Sequence, residues 1–431
     1  MHNCKKPFFI FFLSLAVGAA NAQAPSPFTR FGVGDINNNG MAQNQGMGGI
    51  GISNPSPWYI NNQNPALLVF NRVFVFQGGM YYDKKTAFDG VNTQSFKGGN
   101  LNYLAIATPV VNGKWSTSIG LLPYSSVNYN LSFQSNVLGS PSNVMTTVQE
   151  TGKGGITQFY WSNGVAINRY LSVGIKGSYL FSSVNIKDSN PIAGLTNYGS
   201  VLTRYSFNGL NLSTGLSFHK DSLFHKKYRL NIGLTYSMRS HLIVNKKLTT
   251  EIISNTGAVI DSTTIINNLN NRLVLPQNFG VGLSFGKVDR WTVGGDFTLL
   301  DYNTYVPFQS SFILGNQYSQ APDVPTAAYR AALGGEITPR VEDFTNYLNR
   351  VSYRIGAFYE KYPFLVNGNP VFDRGGTFGF SLPVGRISTI DIGVRIGKRG
   401  VVSKNTLEEN YFRIYFGATF NDQWYIKRKF D

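Results

Sequence analysis

Arg350 and Arg354 stand four residues apart, and so do Asp391 and Arg395. In an extended strand that spacing returns each pair to one face. A guanidinium group holds a carboxylate or a phosphate through two parallel hydrogen bonds, so a face of this kind suits an acidic group. The alternation of neighbouring apolar residues puts Lys176, Arg229, Arg239, Arg330, Glu336, Glu360 and Arg413 on the polar faces of their own segments. The set holds more Arg than acid. It either receives an anionic group, or pairs internally and with backbone carbonyls to hold another part of the chain in place. The second reading is preferred, and the two are compatible. Other chemistry is thinner. Gly46-Met47-Gly48-Gly49-Ile50-Gly51 satisfies G-x-G-x-x-G, but a dinucleotide site needs a buried strand before it and a helix after it. Here an Asn-rich stretch precedes it and Asn54-Pro55-Ser56-Pro57 follows. The histidines, His2, His219, His225 and His241, show no pairing with acids at ligand spacing. With no zinc spacing and no nucleophile elbow, the sequence calls for no enzyme activity, no metal and no cofactor.

The elements that position the charges are strands. Phe279, Val281, Leu283 and Phe285 alternate with Gly280, Gly282 and Ser284, and the same period of two recurs over 171–181, 228–239 and 412–421. A soluble sandwich turns such apolar faces into a core, whereas a membrane barrel turns them toward lipid. The polar faces here are mainly Gly, Ser, Thr and Asn, while a water-exposed face carries more Lys and Glu. Charged residues are 14% of the chain, against roughly 25% in soluble domains, and aromatics are also 14%. The expected fold is therefore all-β: a transmembrane antiparallel β-barrel of about fourteen strands, the first near 73–82, the second near 102–110 and the last near 410–426. A third strand, near 115–134, is interrupted at Leu122-Pro123-Tyr124-Ser125. Proline removes a ladder donor, so Pro123, Tyr124 and Ser125 mark either a kink that would open the wall locally or a Pro turn between two short strands; the kink is preferred. Segments 136–153, 247–270 and 303–326 read as long outer loops. The formal charge of +16 is spread along the strands rather than clustered. It suits a lumen or an anionic lipid surface, and no nucleic-acid partner is expected.

Residues 1–22 read as a secretory signal. Lys5 and Lys6 precede an apolar run from Phe8 to Ala20, and Ala20-Asn21-Ala22 forms a cleavage site. Its removal takes away two Lys and the single Cys, Cys4, leaving +14. Residues 23–72 lack any sustained period and are rich in Gly and Asn. So long an irregular stretch is unusual unless something encloses it. It is expected to be a hatch, or plug, in the lumen of a barrel formed by residues 73–431.

Asn64-Pro65-Ala66-Leu67, then Phe70-Asn71-Arg72 and a strand ending Tyr81-Tyr82-Asp83, resembles the FadL-type outer-membrane transporters of long-chain fatty acids. The Gly-rich run from Gly40 to Gly51 matches the style of that family's hatch, and Pro123 falls where its third strand is kinked. The resemblance implies a Gram-negative outer-membrane channel for passive uptake of hydrophobic or amphipathic, fatty-acid-like molecules, with lateral release through a wall opening. The implied partners are outer-membrane lipid and a hydrophobic small molecule. The alternative is a non-transporting FadL-like barrel that serves as a subunit of a secretion or assembly complex, with other envelope proteins as partners.

Overall fold

A computed structural model describes residues 23–38, 40–136, 145–191, 195–223, 228–302, 327–343, 345–384 and 387–422. The expected signal (1–22) and the proposed loop 303–326 lie outside them. Fourteen antiparallel strands form the wall. They are β1 (Phe74–Phe88), β2 (Thr93–Val111), β3 (Trp115–Asn136), β4 (Met145–Ala166), β5 (Leu171–Ser189) and β6 (Asn197–Ser222). Next come β7, in two pieces (Tyr228–Ser237 and Ser240–Ser254), and β8, also in two (Val259–Leu275 and Gln277–Lys287). The series ends with β9 (Trp291–Asp301), β10 (Ala328–Ile337), β11 (Ser352–Val366), β12 (Asn369–Val384), β13 (Ser388–Gly400) and β14 (Glu408–Asp422). Each strand pairs with its sequence neighbours, and β14 pairs with β1 from Glu408–Phe88 to Asp422–Phe74, which closes the barrel. The chain enters and leaves the wall at one end, called here the base; the other end is the rim.

The outward faces are apolar. Leu333 is 68% exposed and Ile355 70% exposed, values that make sense only against lipid. Aromatic rings cluster near the base, where Tyr228 and Phe285 stack and Trp291 meets both edge-on. A second group, Tyr329, Tyr359 and Phe372, lies farther toward the rim. Such girdles sit at the two interfaces of a membrane barrel.

Several strands run farther toward the rim than their hydrophobic period. β1 continues to Phe88, β2 begins at Thr93 and β4 begins at Met145. Segment 247–270, expected to be a loop, is instead the paired rim halves of β7 and β8, from Ser240–Leu275 to Ile253–Val259. Much of 136–153 is likewise strand. The reason is physical: once a strand leaves the bilayer its outer face no longer needs apolar residues, but its ladder continues.

The alternation also changes phase. On β3 the inward residues are Ser116, Ser118 and Leu122 near the base, but Val127 and Tyr129 toward the rim. Between them lies a β-bulge in which Pro123 pairs with Thr157, Ser125 pairs with Ile156, and Tyr124 is the extra residue. A one-residue slip moves a whole strand's side chains to the other face. Similar breaks at Met238–Arg239 in β7 and at Pro276 in β8 have the same effect. Apolar side chains thus turn inward on the rim half of β3, β7 and β8, and on β5 and β6 the inner face itself becomes apolar toward the rim without any change of phase. Tyr129, Leu180, Val184, Phe207, Leu242 and Leu273 form a buried cluster there with Val33. A lumen of small polar residues, as the composition suggested, holds only for the base half.

Candidate functional site

Residues 23–72 lie against the inner wall in two layers. The base layer begins at Met41. Ala42–Gln45 forms one helical turn, and Pro65–Phe70 forms a 3-10 turn. Asn64 caps the latter: its side-chain oxygen accepts from the Ala66 amide at 3.0 Å, and its amide nitrogen donates to the Ile52 carbonyl at 2.8 Å and to the Leu216 carbonyl of β6 at 3.2 Å. Pro65 begins the turn, where a missing N–H costs nothing. Ala66 accepts from Ser172 of β5, and Leu67 is buried. The wall meets this layer with glycines. Gly164 and Gly174 face Pro65, Gly233 faces Ile52, and Gly334 and Gly356 face Met47–Gly48. A Cβ on Gly164 would stand 2.5 Å from the Pro65 oxygen, and one on Gly356 would overlap the Gly48 backbone outright. Backbone therefore packs on backbone around much of the circumference.

Polar side chains fix the same layer. The Asp296 carboxylate of β9 accepts from the Gly51 and Ile52 amides at 2.6 and 2.8 Å. Lys176 donates to the Asn62 carbonyl at 2.8 Å, and Arg330 donates to that of Gly48.

The rim layer, residues 24–36, crosses from β3 toward β11–β13. Asp35 and Ile36 pair with Ser126 and Ser125 of β3. The Ser26 amide and the Thr29 hydroxyl donate to the Asn128 carbonyl, and the Asn37 amide donates to the Tyr124 carbonyl. At the other side Phe28 and Phe31 stack on Phe364. The edge of β3 is free to accept this segment because its pairing with β2 stops early. The β2–β3 ladder runs from Val111–Trp115 only to Leu104–Leu121. Beyond that point β3 pairs with β4 and with Asp35–Ile36, and β2 pairs with β1. A seam in the wall thus begins beside the Pro123 bulge. Leu101 and Leu104, exposed on β2, put its lower end within the apolar belt.

The inward charges form ladders across strands. Register places Arg330, Glu360, Asp373, Arg399 and Glu409 side by side on β10 to β14. Opposite charges that face each other across strands are favourable. Arg395 reaches Asp373 at 3.3 Å and lies over the Phe358 ring. Arg399 holds both oxygens of Asp35 in the rim layer at 3.0 Å, and Arg413 grips Asp83. Nearer the base, Arg354 joins Glu336 at 2.5 Å and also contacts Ser381. Ser381 in turn meets Asp391, which accepts from Tyr59 of the base layer at 3.2 Å. Arg229 pairs with Asp221 near the base and lies over Phe70.

Two residues of the expected set stand elsewhere. Arg239 is exposed in the two-residue break of β7, where the alternation changes phase and parity no longer assigns a face. Arg350 ends a 3-10 turn, Tyr347–Arg350, in the β10–β11 connection, so it does not share the strand face of Arg354. Sequence reasoning missed Asp35, Asp83, Lys85, Asp296, Asp373, Arg399 and Glu409. Asp296 lies within a hydrophobic period, where its alternation with Val293, Phe297 and Leu299 could have placed it; the others, Asp35 apart, lie just past the end of such a period, on the rim extensions. Among the described residues no group of His, Cys, Asp and Glu could hold a metal ion.

Between the two layers lies a cavity of about 250 Å³. One side carries Lys85, Arg399, Glu409 and Arg413; the other carries Tyr124, Leu300 and Tyr302. A closed antiparallel barrel of fourteen strands with an outward apolar belt defines a membrane-spanning β-barrel, and its fold is FadL-like. The family model that matches residues 4–431 is BamG, and the chain belongs to the BamG family. Among solved structures, the CymD monoaromatic hydrocarbon channel is 15% identical with a TM-score of 0.56, covering 90% of this chain and 100% of its own. The toluene transporter TodX of P. putida is 16% identical with the same TM-score and the same coverage. A Pseudomonas aeruginosa FadL homologue is 11% identical with a TM-score of 0.53, covering 89% of this chain and 98% of its own. Identities this low establish the fold. No curated protein matches the sequence.

Proposed function

We propose that this barrel takes up hydrophobic or amphipathic small molecules, fatty-acid-like or aromatic, and releases them sideways into the bilayer between β2 and β3. In this reading residues 1–22 direct export and are removed, residues 23–72 are the hatch, residues 73–431 form the barrel, and the base faces the periplasm of a Gram-negative envelope. The observation that carries it is the end of the β2–β3 ladder at Leu104–Leu121, beside the Pro123 bulge. A glycine-backed base layer opposes passage straight through, while an unpaired seam in the apolar belt offers an exit. The hydrocarbon and toluene channels named among the structural neighbours support a cargo of this class. Arg330 and Arg399 then anchor the hatch, while Arg354, Arg395 and Arg413 pair within the wall.

Tyr124 is the one extra residue of the bulge. Its deletion restores a continuous alternation from Leu122 to Val127. The expected outcome is loss of laurate and toluene passage into liposomes that contain the purified variant, with the heat-modifiable electrophoretic mobility of a folded barrel retained. Undiminished passage would overturn lateral release.

One observation favours a second reading, a barrel that transports nothing and serves as a subunit of an outer-membrane assembly. The base layer meets the wall backbone to backbone, which suits a fixed plug. A stoichiometric envelope protein that co-purifies from gently solubilised membranes, together with absent passage by the unaltered barrel, would select it.

A further inference from the structure

Two charges in the cavity between the hatch layers are left without hydrogen bonds. Lys85 of β1 is 2% exposed and Glu409 of β14 is 1% exposed; the Lys85 ammonium and both Glu409 oxygens have no hydrogen-bond partner. Both side chains line the cavity. The nearest opposite charges are occupied. Asp83 stands 3.9 Å from Lys85 but already holds Arg413 through both oxygens. Arg399 stands 3.9 Å from Glu409 but already chelates Asp35. Among the described residues no ion pair joins Lys85 to Glu409. A buried charge left unsatisfied is costly, so these two groups favour a ligand that answers both. The guanidinium groups that line the cavity do not favour a free anion, because Arg330, Arg395, Arg399 and Arg413 each face a carboxylate. Across the cavity Tyr124, Leu300 and Tyr302 supply apolar surface, and Tyr124 leads to the seam.

We infer that the cavity binds single-chain amphipaths with a zwitterionic headgroup, an ammonium set against Glu409 and an anionic oxygen against Lys85, in preference to free acids. This rests on the uptake reading above and names its cargo. The test is competition among three probes of equal chain length, lauroyl lysophosphatidylethanolamine, laurate and dodecylamine. They are offered at equal concentration to the purified full-length barrel in a mild non-ionic detergent, and retention is read by native mass spectrometry. The unaltered protein is expected to retain the zwitterion at least tenfold over either other probe. Glu409→Gln moves the preference toward laurate and Lys85→Met moves it toward dodecylamine, whereas Lys85→Arg keeps the zwitterion. Opposite shifts from two neighbouring substitutions would not arise from a general loss of fold. Equal or better retention of laurate by the unaltered protein, or unchanged ranking in both variants, overturns the inference alone. Retention of none of the three overturns it together with the uptake reading.

Discussion

The chemistry of single side chains in this barrel is mostly that of attachment. Asp296 is the clearest case. Its carboxylate is buried and accepts two backbone amides of the hatch, those of Gly51 and Ile52. Removal of an acceptor from buried donors costs about 1–3 kcal/mol. Asp296→Ala is therefore expected to loosen the base layer locally by about 2 kcal/mol, or about thirtyfold in the opening equilibrium. Hydrogen exchange at the Gly51 and Ile52 amides should quicken by that factor, while exchange in the β9–β10 ladder stays as it was. Equal rates at both amides in the variant would mean that Asp296 holds nothing. Sequence parity was sufficient to place Lys176, Arg330, Arg354, Asp391 and Arg395 on inner faces, because each lies within an unbroken hydrophobic period. It failed for Arg239, where the period is interrupted. It was silent on Lys85 and Glu409, because the outer faces of their strands are no longer apolar.

At the scale of elements, each of the fourteen strands carries a segment with period two, and so the count was legible. What parity leaves open is where a strand ends and whether its phase holds. A bulge adds one residue and leaves no mark in composition; Pro123 and Pro276 hint at two of the breaks, but nothing marks Met238–Arg239. Connections obey a different chemistry. In the β10–β11 turn the Asp343 carboxylate accepts from the Thr345 hydroxyl at 2.6 Å and from the Asn349 side chain at 2.6 Å. It also accepts from the Asn346 and Thr345 amides at 3.0 Å. These bonds, led by the Thr345 hydroxyl, hold its pKa below the ordinary carboxylate value. A lowered folded pKa contributes order that is complete above the unfolded pKa, near 4, and is lost as pH falls through the lower folded value. Amide exchange at Thr345 and Asn346, corrected for its intrinsic pH dependence, should stay protected at neutral pH and lose protection only in strong acid. Asp343→Ala should remove that protection at every pH. Protection that survives the substitution would show that the 3-10 turn Tyr347–Arg350 orders the connection without the carboxylate.

For the molecule as a whole, the two layers of residues 23–72 are held to the wall by different kinds of contact. The base layer is held by glycine contacts, by Asp296, Lys176 and Arg330, and by the Asn64 cap, all independent of the rim layer. The rim layer is held differently. It has two paired residues on β3, the Arg399–Asp35 contact, Phe28 and Phe31 against Phe364, and the Arg30–Glu150 pair, whose Arg side chain is 36% exposed. Together with the Ser26 and Thr29 bonds to the Asn128 carbonyl, the contacts on β3 lie beside the seam, while those of Phe364 and Arg399 lie across the lumen on β11 and β13. A variant lacking residues 24–36 should therefore keep the base sealed and free the edge of β3. In planar bilayers its ion conductance is expected to match that of the unaltered barrel, since ions must cross the base layer. Release of a preloaded lipophilic dye from the lumen into surrounding lipid should become faster, since that path passes β3. A large rise in conductance would mean that the rim layer is itself the seal. Unchanged dye release would mean that the seam is closed by packing of β2 and β3 side chains rather than by residues 24–36.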